Sequence, residues 1–294
     1  MIIKTCLIAL FLCAASLLPQ AMAATPADAG KSFQETKIKA EKGYAPAQYI
    51  LGGMYRRGQG VPKDEAEAVK WYRKAADQGD ASAQMSLGVM YRRGEGVPKD
   101  EAEAAKWYRK AADGGIALAQ SNLGGMYANG EGVPKDEAEA VKWYRKAADQ
   151  GNILAQSNLG VMYANGRGVP KDAAEAVKWY WKAADGGIAL AQINLGGMYR
   201  RGEGVPKDAA EAVKWFRKAA DQGDANAQSM LGIMYANGEG VPQDGAEAYK
   251  WFLLAGAQGD KDAKEKISEI EGKITPAQGA EGQRRARAWK PRKP

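Results

Sequence analysis

There is no histidine anywhere in the 294 residues, and the two cysteines, Cys6 and Cys13, both fall within the first 23. Without imidazole, Ser-His-Asp and Cys-His nucleophiles are excluded, and from residue 24 onward no imidazole or thiolate can hold zinc or copper. No metal site or cofactor is expected. The same absence means that no disulfide staples residues 24–294. Long apolar runs are also missing, apart from one near the amino terminus in MIIKTCLIALFLCAASLLPQAMA. That run, Cys6 to Leu18, is shorter than the roughly 18 residues a membrane-spanning helix needs. A single Lys4 before it and Ala21-Met22-Ala23 after it read as an export signal, residues 1–23, cleaved after Ala23. Cys13 follows Leu12 instead of a small residue, so lipid attachment is not expected there. The mature chain is therefore expected in the periplasm or outside a bacterial cell, with no transmembrane segment.

Charge of one sign is scarce over most of the chain. The formal net charge is +7, of which Lys4 leaves with the leader. Arg284, Arg285, Arg287, Lys290, Arg292 and Lys293 in the last eleven residues, RRARAWKPRKP, account for the rest. Residues 24–283 are neutral overall, so the basic balance describes a tail suited to an acidic surface. It does not describe a nucleic-acid-binding body, and no nucleic-acid partner is expected.

What the chain has in abundance is repetition. Trp71, Trp107, Trp143, Trp179, Trp215 and Trp251 recur every 36 residues, and Gly-Val-Pro-Lys-Asp keeps the same interval, with Gln243 in the last copy. A fixed period of this length marks an array of small units. Six are readable: 44–79, 80–115, 116–151, 152–187, 188–223 and 224–259. In the first, Ala47, Leu51, Met54 and Tyr55 form an i, i+4, i+7, i+8 stripe on one helix, A. Ala68, Trp71, Tyr72, Ala75 and Ala76 form a similar stripe on a second helix, B. Gly58 is expected to end helix A in the left-handed conformation, and Gly60 to allow a tight reversal. Pro62 prevents helix A from continuing, and Asp64 with Glu67 reads as an acidic capping box opening helix B. Gly52 and its equivalents sit mid-helix at a cost of roughly 1 kcal/mol, which implies close approach to a neighbouring helix.

A unit of Ala-Gln-x-x-Leu-Gly-x-Met-Tyr, Gly-x-Gly-Val-Pro-x-Asp and Glu-Ala-x-x-Trp-Tyr-x-Lys-Ala-Ala resembles the Sel-1-like repeat (SLR) family, which is related to tetratricopeptide repeats. The resemblance spans residues 44–259; Phe216 and Phe252 depart from it in replacing Tyr. It implies an all-α fold, a right-handed α/α superhelical solenoid of six 36-residue hairpins with helix A lining the concave face. It also implies an adaptor for protein or peptide partners, in envelope assembly, signalling or host contact. The ends depart from the repeat, as solenoid caps do. Residues 24–43 are an amino-terminal arm with a degenerate helix B from 31. Residues 260–283 are expected to hold capping helices, with Ala263, Ile267 and Ile270 inward, before the tail 284–294. Thr275, Pro276 and Gln278 open a last helix reaching about Trp289, which Gly279 and Gly282 weaken.

Enzymatic readings find little support. The Gly-x-Gly loops lack the Ser/Thr after Lys63 and the preceding strand of a phosphate-binding loop. Glu65 and Glu67 are first-turn residues favoured by the helix dipole. Cysteine-rich relatives described as β-lactam-binding or β-lactam-hydrolysing prompt a search for Ser-x-x-Lys, Ser-Asp-Asn and Lys-Thr-Gly, none of which occurs. A cell-envelope enzyme or accessory acting on cell-wall material is the alternative function. The Trp-Tyr pairs read as packing between hairpins, not a base-stacking ladder.

Positions that differ among the units are the candidates for recognition. On helix A these are Tyr49, with Ser121 and Ser157 among its equivalents, and Asn122, Asn158 and Asn194. Near the end of helix A, Arg56-Arg57, Arg92-Arg93 and Arg200-Arg201 alternate with Ala preceding Asn129, Asn165 and Asn237. Arg prefers carboxylates and Asn can read peptide amides. The order predicts a partner with an acidic end and an extended polar segment.

Overall fold

The computed structural model describes residues 26–292. The expected export signal, residues 1–23, and its cleavage site lie outside the described residues. Among those residues the chain forms fifteen α-helices and no strand. Helix α1 (Pro26–Glu41) precedes six hairpins: α2 (Ala45–Arg57) with α3 (Glu65–Asp77), α4 (Ala81–Arg93) with α5 (Glu101–Asp113), and α6 (Ala117–Asn129) with α7 (Glu137–Asp149). Then come α8 (Ile153–Asn165) with α9 (Ala173–Asp185), α10 (Ala189–Arg201) with α11 (Ala209–Asp221), and α12 (Ala225–Asn237) with α13 (Gly245–Ala257). Helices α14 (Lys261–Glu271) and α15 (Pro276–Ala288) close the array, an all-α solenoid.

The loop chemistry explains the hairpins. Gly58 takes φ 69° and donates its N–H to the Met54 carbonyl, ending α2. Gly60, at φ 71°, lies so near the Ala29 carbonyl of α1 that a Cβ would collide with it. Asp64 accepts the Glu67 N–H at 2.8 Å, as the sequence predicts. The reciprocal arm of the expected capping box is not made. The Asp64 N–H donates instead to the Tyr55 carbonyl at 2.9 Å, and the Glu67 carboxylate takes Lys70 at 2.9 Å. Hairpin closure places a helix A carbonyl where the Glu side chain would have reached, and the same bond recurs from Asp100 to Tyr91 through Asp244 to Tyr235.

Apolar burial lies between hairpins. Val141, Tyr144 and Ala148 of α7 share one cluster with Leu159 and Met162 of α8 and Trp179 of α9. The Trp-Tyr pairs are therefore core and not a stacking surface; Trp143 is 4% exposed and donates from Nε1 to Glu139 at 2.9 Å. Within each hairpin the mid-helix glycine admits the aromatic ring after Trp. A Cβ on Gly124 would sit 2.8 Å from the Tyr144 ring.

A buried amide ties each helix A to the helix B before it. Gln156 Nε2 donates to the Ala148 carbonyl at 3.1 Å, satisfying one of the orphan acceptors at the end of α7. Gln48, Gln84, Gln120, Gln192 and Gln228 do the same for α1, α3, α5, α9 and α11.

The ends are capped. Phe33 and Ala40 of α1 are buried against α2. On α14, Ala263 and Ile270 are buried. Helix α15 opens with both arms of the Thr275/Gln278 capping box in place. Gly282, a weak helix former, is what lets α15 lie close: a Cβ there would stand 2.8 Å from the Ala246 carbonyl of α13. Arg284, Arg285 and Arg287 belong to this helix. Arg285 pairs with Glu247 at 2.9 Å, Trp289 packs edge-on against Trp251, and the Arg292 N–H donates to the Asp221 carbonyl at 2.7 Å. Much of the basic segment is thus docked on the array.

Two substitutions test this packing. Trp143→Ala should cost about 3–5 kcal/mol in urea unfolding. Gly124→Ala should destabilise by about 1–3 kcal/mol through overpacking on Tyr144, even though Ala is the better helix former.

Candidate functional site

The face of helix A opposite Leu51 and Met54 follows an i, i+4, i+7, i+11 run. In α6 this run holds Leu118, Asn122, Gly125 and Asn129; in α8, Leu154, Asn158, Val161 and Asn165; in α10, Leu190, Asn194, Gly197 and Arg201, with Val161 packed inward and Gly197 buried. Three consecutive hairpins thus carry a row of leucines beside a row of asparagines. Leu118, Leu154 and Leu190 are about half exposed. Asn122, Asn158 and Asn194 have no hydrogen-bond partner among the described residues. The sequence reading found the asparagines and missed the leucines. Their signal was present, because Leu recurs at the same 36-residue interval in the three units that carry Asn four positions on.

Tyr49 does not share this face. It is half-buried with its ring 5.7 Å from that of Tyr72, and Ser121 and Ser157 at the equivalent position are buried. The position belongs to packing.

The arginine pairs are engaged within the chain. Arg56 donates from Nε and a terminal nitrogen to Glu95 of the next loop, at 3.1 and 2.9 Å. Arg92 reaches Glu131 at 3.1 Å and Arg200 reaches Glu239 at 2.9 Å, so these arginines bridge successive hairpins. Their partners turn back to their own loops: Arg57 to Gln59 at 3.0 Å, Arg93 to Glu95 at 3.3 Å, Arg201 to Glu203 at 2.7 Å. Asn129 donates to Glu131, and Asn165 to the Val161 carbonyl, both at 2.9 Å. Asn237 lines a cavity of ≈ 450 Å³ between α12, α13 and α14.

Where Ala128 replaces the bridging arginine, Arg167 of the next loop crosses in the opposite sense to Glu137 at 2.9 Å. Between the fourth and fifth hairpins Ala164 replaces it and Glu203 is held by Arg201 of its own unit. No ion pair crosses that boundary among the described residues, and a cleft of ≈ 410 Å³ remains. The bridges tune their carboxyls: a hydrogen bond from Arg200 holds Glu239 below the usual carboxylate range, and one from Arg167 does so for Glu137. Burial pushes the Tyr180 phenol up to about 12.

Among the described residues no group of three or more Asp, Glu, His or Cys is gathered to hold a metal ion. No helix among them is long and apolar enough to cross a membrane.

The family model described as Sel1 repeat matches residues 45–80, 81–116, 117–152, 153–188, 189–224 and 225–260. The chain belongs to the Sel1 repeat family. Each match starts one residue after the unit read from the sequence. Among solved structures, the chain is similar to a protective antigen of uropathogenic Escherichia coli strains displaying an SLR fold. That likeness has a TM-score of 0.79 and 41% identity over 87% of this chain. The match spans 56% of the antigen's length. It is also similar to a Sel1 repeat protein from Oxalobacter formigenes, with a TM-score of 0.68 and 34% identity over 78% of this chain and 92% of that one. No curated protein matches the chain. Sel1-repeat proteins generally serve as protein-interaction scaffolds, and the family is generally non-enzymatic.

The inter-repeat bridges carry a pH signature. Glu239 has a depressed folded-state value, so the Arg200 bridge stabilises above about pH 4.3, the usual glutamate pKa, and fades as pH falls through the folded value. Arg200→Ala should cost up to about 1 kcal/mol at neutral pH. In thermal melts its difference from the unsubstituted protein should vanish in acid.

Proposed function

We propose that this Sel1-repeat protein is an exported scaffold that holds an extended segment of a partner protein across α6, α8 and α10. The observation that carries the reading is the pair of adjoining rows, exposed leucines beside unbonded asparagines, on the helices that the family resemblance assigns to the concave side. An extended peptide presents backbone amides that Asn can meet with both a donor and an acceptor. Its apolar side chains find the leucines, where burying each CH₂ is worth about 0.8 kcal/mol. Binding is the proposed activity, since no side chain of this face pairs a nucleophile with a base. Export rests on the leader, Met1 to Ala23, with a mature chain starting at Ala24.

A photo-crosslinking residue in place of Asn158, incorporated in the producing bacterium, should capture a partner, whereas one in place of Lys142, exposed on α7, should not. Changing Leu118, Leu154 and Leu190 together to Asp should cut the crosslinked yield by about tenfold or more with the melting temperature unchanged, since these side chains lie outside the core. Equal capture from both positions, or none from residue 158, sinks the reading.

A further inference from the structure

Two substitutions coincide at the cleft between the fourth and fifth hairpins and at no other boundary between hairpins. The first is Ala164, which stands where Arg56 and Arg92 stand in the first two units. Those guanidiniums bridge to the next hairpin and lower, by their charge, the pKa that burial raises at the phenols of Tyr72 and Tyr108. Tyr180 is the equivalent phenol in the fourth unit. It is 3% exposed, lines the cleft, and has no hydrogen-bond partner among the described residues. The hydroxyl is not among the fully buried atoms that lack a partner, so it reaches the solvent of the cleft and is open to a ligand acceptor.

The second is Ala173. Lys63, Lys99 and Lys135 each pair with a glutamate two residues on, at 2.6, 2.7 and 3.2 Å. Ala173 removes that glutamate, and Lys171 lines the cleft without an ion pair among the described residues. The other charges facing the cleft are Arg201 and Glu203, joined by two hydrogen bonds of 2.7 and 2.8 Å, and Glu203 also feels the charge of Lys171. Lys171, Arg201 and Glu203 leave the cleft with a net charge of +1, beside the Tyr180 hydroxyl and the free amide of Asn194. Three donors converge on a space at the small end of the roughly 300–1,000 Å³ usual for ligand sites. Asn194 belongs both to this lining and to the asparagine row, so a peptide following the row passes over the mouth of the cleft.

We propose that this cleft receives the carboxylate side chain of an Asp or Glu in the bound segment, with Lys171, Tyr180 and Asn194 as its donors. The inference rests on the binding function proposed above and adds the chemistry of one position in the partner. It also moves carboxylate recognition away from the arginine pairs, which glutamates, and Gln59 for Arg57, already occupy.

The test is an NMR titration of the ¹⁵N-labelled full chain with N-acetylglutamate methylamide. The neutral glutamine analogue and N-acetylglycine, a chain-terminal carboxylate, serve as comparators. Saturable shifts confined to residues 164–173, 180 and 194–203 are expected with the glutamate probe at about 10 mM, since one side chain gives millimolar affinity at best. Ala173→Glu copies Glu65, Glu101 and Glu137 of other units, and Tyr180→Phe copies Phe216, so each should keep the fold and its melting temperature. Ala173→Glu and Tyr180→Phe should each weaken the probe by about fivefold or more, the loss of one charge-assisted contact. Equal binding of the glutamine analogue, tighter binding of N-acetylglycine, undiminished binding to the Ala173→Glu protein, or no cleft shift overturns the proposal. The two readings fail separately. Probe binding without crosslinks from residue 158 keeps the cleft and removes the peptide groove, and crosslinks without probe binding do the reverse.

Discussion

A single hairpin of this array cannot bury its own second helix. Val141, Tyr144 and Ala148 of α7 reach the interior only because Leu159, Met162 and Trp179 of the following hairpin cover them. Each unit therefore depends on its neighbours, and stability accumulates through nearest-neighbour interfaces. That dependence explains the ends: α1 covers the first helix A, and α14 and α15 cover α13, which has no seventh hairpin against it. It also explains the glycines. At Gly124 and Gly282 a bare α-carbon is the condition for two helices to approach, and packing offsets the cost in helix propensity.

Polar groups set the order of stacking that apolar contact alone leaves loose. The buried glutamines bond the last carbonyls of the preceding helix, fixing where one hairpin meets the next. The Arg–Glu bridges do the same at the surface, and their pattern is mutual. Where the arginine is present, the next loop carries glutamate; where Ala128 stands, the next loop carries Arg167 and the bridge reverses. Only partial exposure of these pairs makes them modest contributors to stability. Their larger effect is to occupy charge that would otherwise be free to bind.

The array is regular in its core and irregular on one face, and its asymmetry is concentrated in hairpins three to five. There the leucine and asparagine rows coincide, and there the series of bridges is interrupted by Ala164 and Ala173. A scaffold of identical units gains a preferred place for a partner by such local departures, since the fold itself requires neither the rows nor the gap.

Helix and loop positions were legible in the sequence because they depend on neighbours a few residues away. The sign of φ at Gly58, the Asp64 cap, the ring-bearing stripe from Trp71 and the Thr275–Gln278 box are settled by local sterics and hydrogen bonds. The 36-residue period likewise determined that the chain stacks as hairpins. Tertiary structure alone decided which side chains were already engaged. Arg56 looks free until Glu95, 39 residues on, is brought beside it, and the second arm of the Asp64 box is displaced by a carbonyl from the preceding helix. Lys171 makes no ion pair because residue 173, whose equivalents are glutamates in the first three hairpins, is alanine here, and no arginine bridges at Ala164. The opening is a property of the assembled boundary, where distance in sequence no longer measures distance in space.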